Sequence, residues 1–165
     1  MQITALAIPE VKRIVPKRFE DHRGFFVETY NRRVLAEAGL DLGFVQDNSS
    51  LSREKGVLRG LHYQVAPHVQ AKLVRVVRGR ILDVAVDIRA GSPTYGQHVA
   101  EELSAANGAQ LLIPVGFAHG FVTLEPDTEV VYKVTDYYVP ECDRGIAFDD
   151  PALGTFTGPT FTSAG

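Results

Sequence analysis

The sequence is poor in the features that mark secreted, membrane-bound and nucleic-acid-binding proteins. It has one cysteine, Cys142, among 165 residues. A single thiol closes no internal disulfide, and with no histidine partner in its segment it is a weak nucleophile, so a reducing compartment is the expected setting. Nor is there an excess of one charge. Seventeen Lys and Arg stand against 20 Asp and Glu, a formal charge of -3, which supplies no basic stripe to neutralise a phosphate backbone and argues against nucleic-acid binding. No stretch reaches the ~18 consecutive apolar residues that span a bilayer, and residues 1–9 carry no charged region ahead of a long apolar run. These absences leave a cytoplasmic protein with neither nucleic acid nor membrane as a partner. There is also no fixed-period repeat and no low-complexity tract.

What is present is enough for one core. A hydrophobic content of 45% over this length supports a single domain, expected at residues 1–154. Residues 155–165, small and polar, are expected to form a flexible C-terminal tail. Short runs rich in Val, Ile, Leu, Tyr and Phe recur between Gly, Pro, Asn and Asp, which predicts an all-β class. The clearest strand is 81–89, with Leu82, Val84, Val86 and Ile88 on a core face and Asp83, Ala85, Asp87 and Arg89 on a polar one. Arg78-Gly79-Arg80 is expected to join it to 72–77 as a hairpin. Further runs at 97–103, 109–113, 116–124 and 129–135 bring the series to a closed barrel or jelly roll. The one predicted helix covers 31–39, capped by Asn31, ended by Gly39 and packed outside the barrel.

Two histidine segments carry the chemistry, Leu58-Arg59-Gly60-Leu61-His62-Tyr63-Gln64 and Ile113-Pro114-Val115-Gly116-Phe117-Ala118-His119-Gly120. Either histidine alone reads as readily as a hydrogen-bonded core residue. The second segment has the Pro-x-Gly-x-x-His spacing of the second cupin motif. The first lacks the His-x-His pair that would place two metal ligands on one strand face, because Gln64 occupies the second position. His62 and His119 without a third nitrogen or thiolate make a poor transition-metal cage, so no metal is expected. Polarisation of a substrate then falls to Lys72 and Arg59, and proton transfer to His62, His119 and tyrosines, a combination suited to proton abstraction next to a carbonyl. Strand parity puts Arg59 opposite His62 unless Gly60 marks a bulge, which is the expectation here. Tyr132 alternates with Val130 and Val134, a pattern more typical of core than of catalysis.

The segments Arg23-Gly24-Phe25-Phe26-Val27-Glu28, Phe44-Val45-Gln46-Asp47-Asn48, Val57-Leu58-Arg59-Gly60-Leu61-His62, Pro114 to Phe121 and Val131-Tyr132-Lys133-Val134-Thr135-Asp136-Tyr137-Tyr138 occur in the order and spacing of the dTDP-4-dehydrorhamnose 3,5-epimerases. The resemblance extends from residue 1 to about 154. It implies a cupin-type jelly-roll barrel with a short peripheral helix, and epimerisation of dTDP-4-dehydro-6-deoxy-D-glucose at C3 and C5 to dTDP-4-dehydro-L-rhamnose, without a cofactor. By the same resemblance His62 is the base, Tyr132 the acid on the opposite face of the sugar, and Lys72 lies near the C4 oxygen. Arg23, Glu28, Gln46, Asn48, Arg59, His119, Tyr138 and Asp143 are implied around the nucleotide, phosphates and sugar. A homodimer is implied as well, with the N-terminal strand shared between partners.

The chain departs from the family pattern after Gly154. It has neither the family's Trp-Pro pair nor the Leu-Ser-x-Lys-Asp stretch whose aspartate orients the catalytic histidine. Asp83, on the polar face of its strand, is the expected replacement partner for His62. Three alternatives remain open at this level: inversion at C3 only or on another nucleotide 4-keto sugar, a metal-dependent cupin, and a non-catalytic sugar-nucleotide binder.

Overall fold

A computed structural model describes residues 1–154; the expected tail at 155–165 lies outside the described residues. Thirteen strands and one α-helix follow in the order β1 (Gln2–Ala5), β2 (Lys12–Val15), β3 (Arg18–Asp21), β4 (Gly24–Val27), α1 (Arg32–Glu37), β5 (Gln46–Ser52), β6 (Leu58–Gln64), β7 (Lys72–Arg78), β8 (Arg80–Asp87), β9 (His98–Ser104), β10 (Gln110–Ile113), β11 (Phe117–Thr123), β12 (Thr128–Val134) and β13 (Asp143–Gly145). A six-stranded sheet ordered β1-β2-β10-β7-β12-β5 faces a five-stranded sheet ordered β13-β6-β11-β8-β9, and β3–β4 stands apart as a hairpin. This is the jelly-roll architecture. No helix among the described residues is long and apolar enough to cross a membrane.

Period-two alternation builds the layers. Val74, Val76, Ala85, Leu111, Ile113, Phe117, Phe121 and Val130 fill the space between the sheets. Their strand neighbours point outwards: Leu61, Val84, Val86, Ala118 and Val122 pack under the 146–153 segment, and Leu73 and Leu112 pack under α1 through Leu35. Asn31 caps α1 by accepting from the amides of Arg33 at 3.1 Å and Val34 at 3.3 Å. At six residues the helix is too short to persist alone. Burial of Leu35, worth about 2 kcal/mol, holds it against the outer face of the six-stranded sheet.

Two expectations need correction. Strands β7 and β8 form no hairpin: β7 pairs with β10 and β12, and β8 with β11 and β9. Gly79, at φ +78, turns the chain from one sheet into the other where a Cβ would collide with Thr128 Oγ1. Nor is the inward face of β8 the one carrying Leu82, Val84 and Val86, as expected; it is the face of Asp83, Ala85 and Asp87. Asp83 and Asp87 are both 0% exposed, because that face lines the barrel interior.

Candidate active site

The site begins with a register shift. His119 of β11 pairs with His62 of β6, yet Phe121 pairs with Arg59, so β6 uses three residues where β11 uses two. The extra residue is a bulge at Gly60, and it brings Arg59 and His62 onto the same inward face, as the sequence led us to expect. Gly60 has φ +112, and a Cβ there would lie 2.5 Å from both the Gly120 Cα and the His119 carbonyl oxygen. Gly120 is constrained by space alone, since its Cβ would meet the Arg59 carbonyl at 2.8 Å. The two glycines let the two histidine strands approach closely enough to form one wall.

The opposite wall comes from the six-stranded sheet. Lys72 of β7 and Tyr132 of β12 point inwards with Asn48 of β5. Two adjoining chambers result. One, of about 370 Å³, is lined by residues that include Gln46, Asn48, Gln64, Gln70, Tyr138 and Asp143. The other, of about 430 Å³, includes Ser50, Arg59, His119 and Phe121. His62, Lys72 and Tyr132 line both. A basic imidazole on one sheet therefore faces a phenol and an ammonium on the other, across a space of small-ligand size.

Burial tunes these groups. Desolvation pushes the Lys72 ammonium below the usual lysine range, while the nearby carboxylates of Asp83 and Asp143 pull it back up. Desolvation also raises the Tyr132 phenol; the Arg59 charge opposes that rise and the Asp143 charge adds to it. A raised phenol keeps its proton at neutral pH and stays available as an acid.

Asp83 does not orient His62. Its Oδ1 lies 2.6 Å from His119 Nε2 inside the barrel, and its Oδ2 has no hydrogen-bond partner among the described residues. The reason is topological: β8 pairs with β11, which stands between it and β6. His62 is exposed to the cavity and makes no side-chain hydrogen bond with a described residue. Arg23 and Glu28 line neither chamber: Arg23 pairs with Asp21 at 2.6 Å on the exposed hairpin, and Glu28 accepts from Asn31 at 3.0 Å. Every other residue expected in the pocket lines one of the two chambers. Sequence reasoning passed over Ser50, Gln70 and Phe121. Ser50 and Phe121 were within reach of parity, since Ser50 alternates with Gln46 and Asn48, and Phe121 with His119. Gln70 lies in a loop with no period to read.

The description "dTDP-4-dehydrorhamnose 3,5-epimerase" belongs to the family model that matches residues 5–163. A Sinorhizobium fredii dTDP-4-dehydrorhamnose 3,5-epimerase is 54% identical over 154 residues, 93% of this chain and 79% of that protein. The crystal structure of the Legionella pneumophila dTDP-6-deoxy-D-glucose-3,5-epimerase in complex with dTDP-4-keto-L-rhamnose superposes with a TM-score of 0.92 at 47% identity, covering 99% of this chain and 87% of that one. A 3'-monoepimerase from Streptomyces bikiniensis, in complex with dTDP-quinovose, has a TM-score of 0.89 at 32% identity over 96% and 80% of the two chains.

Proposed function

The chain belongs to the dTDP-4-dehydrorhamnose 3,5-epimerase family, and we propose from that premise that His62, Lys72 and Tyr132 epimerise dTDP-4-dehydro-6-deoxy-D-glucose at C3 and C5 in the cytoplasm. The observation that carries the assignment of roles is the placing of His62 on one sheet and Tyr132 on the other, with both lining the two chambers.

In a 4-keto sugar the C3 and C5 hydrogens are both α to the carbonyl. His62 takes one of them, the C–H electron pair moves towards the C4 oxygen, and the buried Lys72 ammonium stabilises the resulting enolate. Tyr132 then gives its hydroxyl proton to the opposite face of the same carbon, which inverts the centre. The phenolate recovers a proton and the imidazolium loses one before the next centre is treated. The reaction is redox-neutral and needs no cofactor.

Deuterium exchange tests these roles. In deuterated water, His62→Asn should abolish label incorporation at both carbons, whereas Tyr132→Phe should retain exchange but block correct inversion. Equal and mild losses in the two variants would show that neither is catalytic. Label confined to C3 in the wild type would instead assign the activity named for the Streptomyces bikiniensis relative.

The substrate site is proposed to be shared between two copies. Phe19, Phe25 and Phe26 on the β3–β4 hairpin are 53%, 60% and 68% exposed, an apolar surface a monomer seldom presents to water. Arg23 and Glu28, remote from this chain's chambers, would then serve the neighbour's nucleotide.

A further inference from the structure

The segment from Asp136 to Val139 crosses the mouth of the barrel without belonging to any strand, so its backbone must find hydrogen bonds elsewhere. Glutamines supply four of them. Gln64, 7% exposed, donates from Nε2 to the carbonyls of His68 at 2.7 Å and Tyr137 at 3.1 Å, and its Oε1 accepts from the Val139 amide at 2.7 Å. Tyr138 is thus gripped on both sides by one side chain of the five-stranded sheet. Its own amide donates to Gln46 Oε1 of the six-stranded sheet at 3.2 Å. Gln70 Nε2 holds the Asp136 carbonyl at 2.8 Å.

The residue so held is the most exposed aromatic among those that line the chamber. Tyr138 is 54% exposed and lines the chamber with its hydroxyl 3.5 Å from Asp143 Oδ2. A fixed ring at a cavity mouth offers a stacking face to a nucleobase. A histidine at position 64 could not do the same work, because a neutral imidazole has one N–H and cannot donate to both carbonyls.

We infer that Gln64, assisted by Gln70, is a positioning residue for the nucleotide: its amide holds the Tyr138 segment across the barrel mouth and so sets how tightly the nucleoside diphosphate half of the substrate binds. The inference rests on the epimerase reading. It gives the second position of the first histidine segment a role of its own, two residues from the catalytic base yet directed at binding.

The test compares dTDP affinity by calorimetry with steady-state kinetics. Gln64→Met keeps length and apolar bulk but removes three hydrogen bonds, so Kd for dTDP and KM for the sugar nucleotide should each rise roughly tenfold, with kcat within twofold. Gln70→Met removes one bond at a half-exposed site that endangers folding little, and should raise both roughly threefold. In a Tyr138→Ala background, where the ring is already lost, Gln64→Met should add less than a further twofold if the amide acts through Tyr138. Unchanged Kd in both single variants, or full additivity with Tyr138→Ala, overturns the inference. So does a fall in kcat with Kd intact. Affinity is read independently of turnover: a wild type that bound dTDP without epimerising would refute the reaction, while the Gln64 comparison still decided this point.

Discussion

Gly60→Ala adds one methyl group to the strand that carries the proposed base, and the structure says what that methyl meets. The φ of +112 is disfavoured for any L side chain, a strain of about 1–3 kcal/mol. The new carbon would also stand 2.5 Å from Gly120 Cα and from the His119 carbonyl, backbone atoms that cannot rotate away. Separating β6 from β11 to make room costs a further ~1–3 kcal/mol, as other overpacked sites do. The sum, about 2–6 kcal/mol, lowers Tm by roughly 5–20 °C for a chain of this size. Gly91→Ala is the control, because Gly91 has φ +80 but nothing within 4 Å of its Cβ; it bears the strain without the collision and lines neither chamber. Thermal unfolding of both variants, with kcat measured well below either midpoint, separates the two contributions. Gly60→Ala should be the less stable of the pair and should lose activity, since Arg59 and His62 are displaced together, while Gly91→Ala should turn over normally. Equal midpoints with normal kcat in Gly60→Ala would refute the claim that the close approach of these strands builds the site.

The remaining expectations concern charge and assembly. Asp83→Asn removes a carboxylate that raises the Lys72 ammonium against the lowering effect of burial; if the ammonium stabilises the enolate as proposed, the alkaline limb of the kcat profile should move to lower pH, and an unmoved limb would uncouple Asp83 from Lys72. Asp87, 0% exposed, accepts from the side chains of Arg89, Ser92 and Thr94 at 2.6–2.9 Å, and the Arg89 guanidinium, first among these, holds its carboxyl well below the usual range. Its stabilisation is complete above the unfolded carboxylate pKa of about 3.9 and is lost as pH falls through the lower folded value. The Tm of Asp87→Asn should therefore fall less steeply than that of the wild type on acidification below about pH 4; parallel curves would contradict the linkage. If the substrate site is shared, inactive Arg23→Ala and His62→Ala chains should recover roughly a quarter of wild-type sites on dissociation and random reassociation, because about half the dimers are mixed and each holds one intact site. Mixed dimers, verified by differently tagged chains, that stayed as inactive as their parents would exclude Arg23 from the partner's site.

Local sequence determined the strand-rich class, the helix that Asn31 caps, and the common face of His62 and Gln64, because period-two alternation and end-capping are settled within a few residues of chain. The bulge that puts Arg59 beside His62 was also legible, since a lone glycine inside a strand marks such a site. Tertiary structure decided which strands pair, and that overrode two local readings. Residues 72–78 and 80–87 look like a hairpin in isolation, but each gains more by joining a different sheet, with Gly79 at the corner. Asp83 was expected beside His62 because its strand alternates carboxylate with apolar residue and so offers a polar face; in the barrel that face is interior, and its partner is His119, 36 residues away. The glutamine clasp on Tyr138 was illegible for the same reason, since it joins residues 64 and 137 across 73 positions and no periodicity spans that gap. Alternation tells a side chain which face it takes, whereas the strand registers alone tell it whom it meets there.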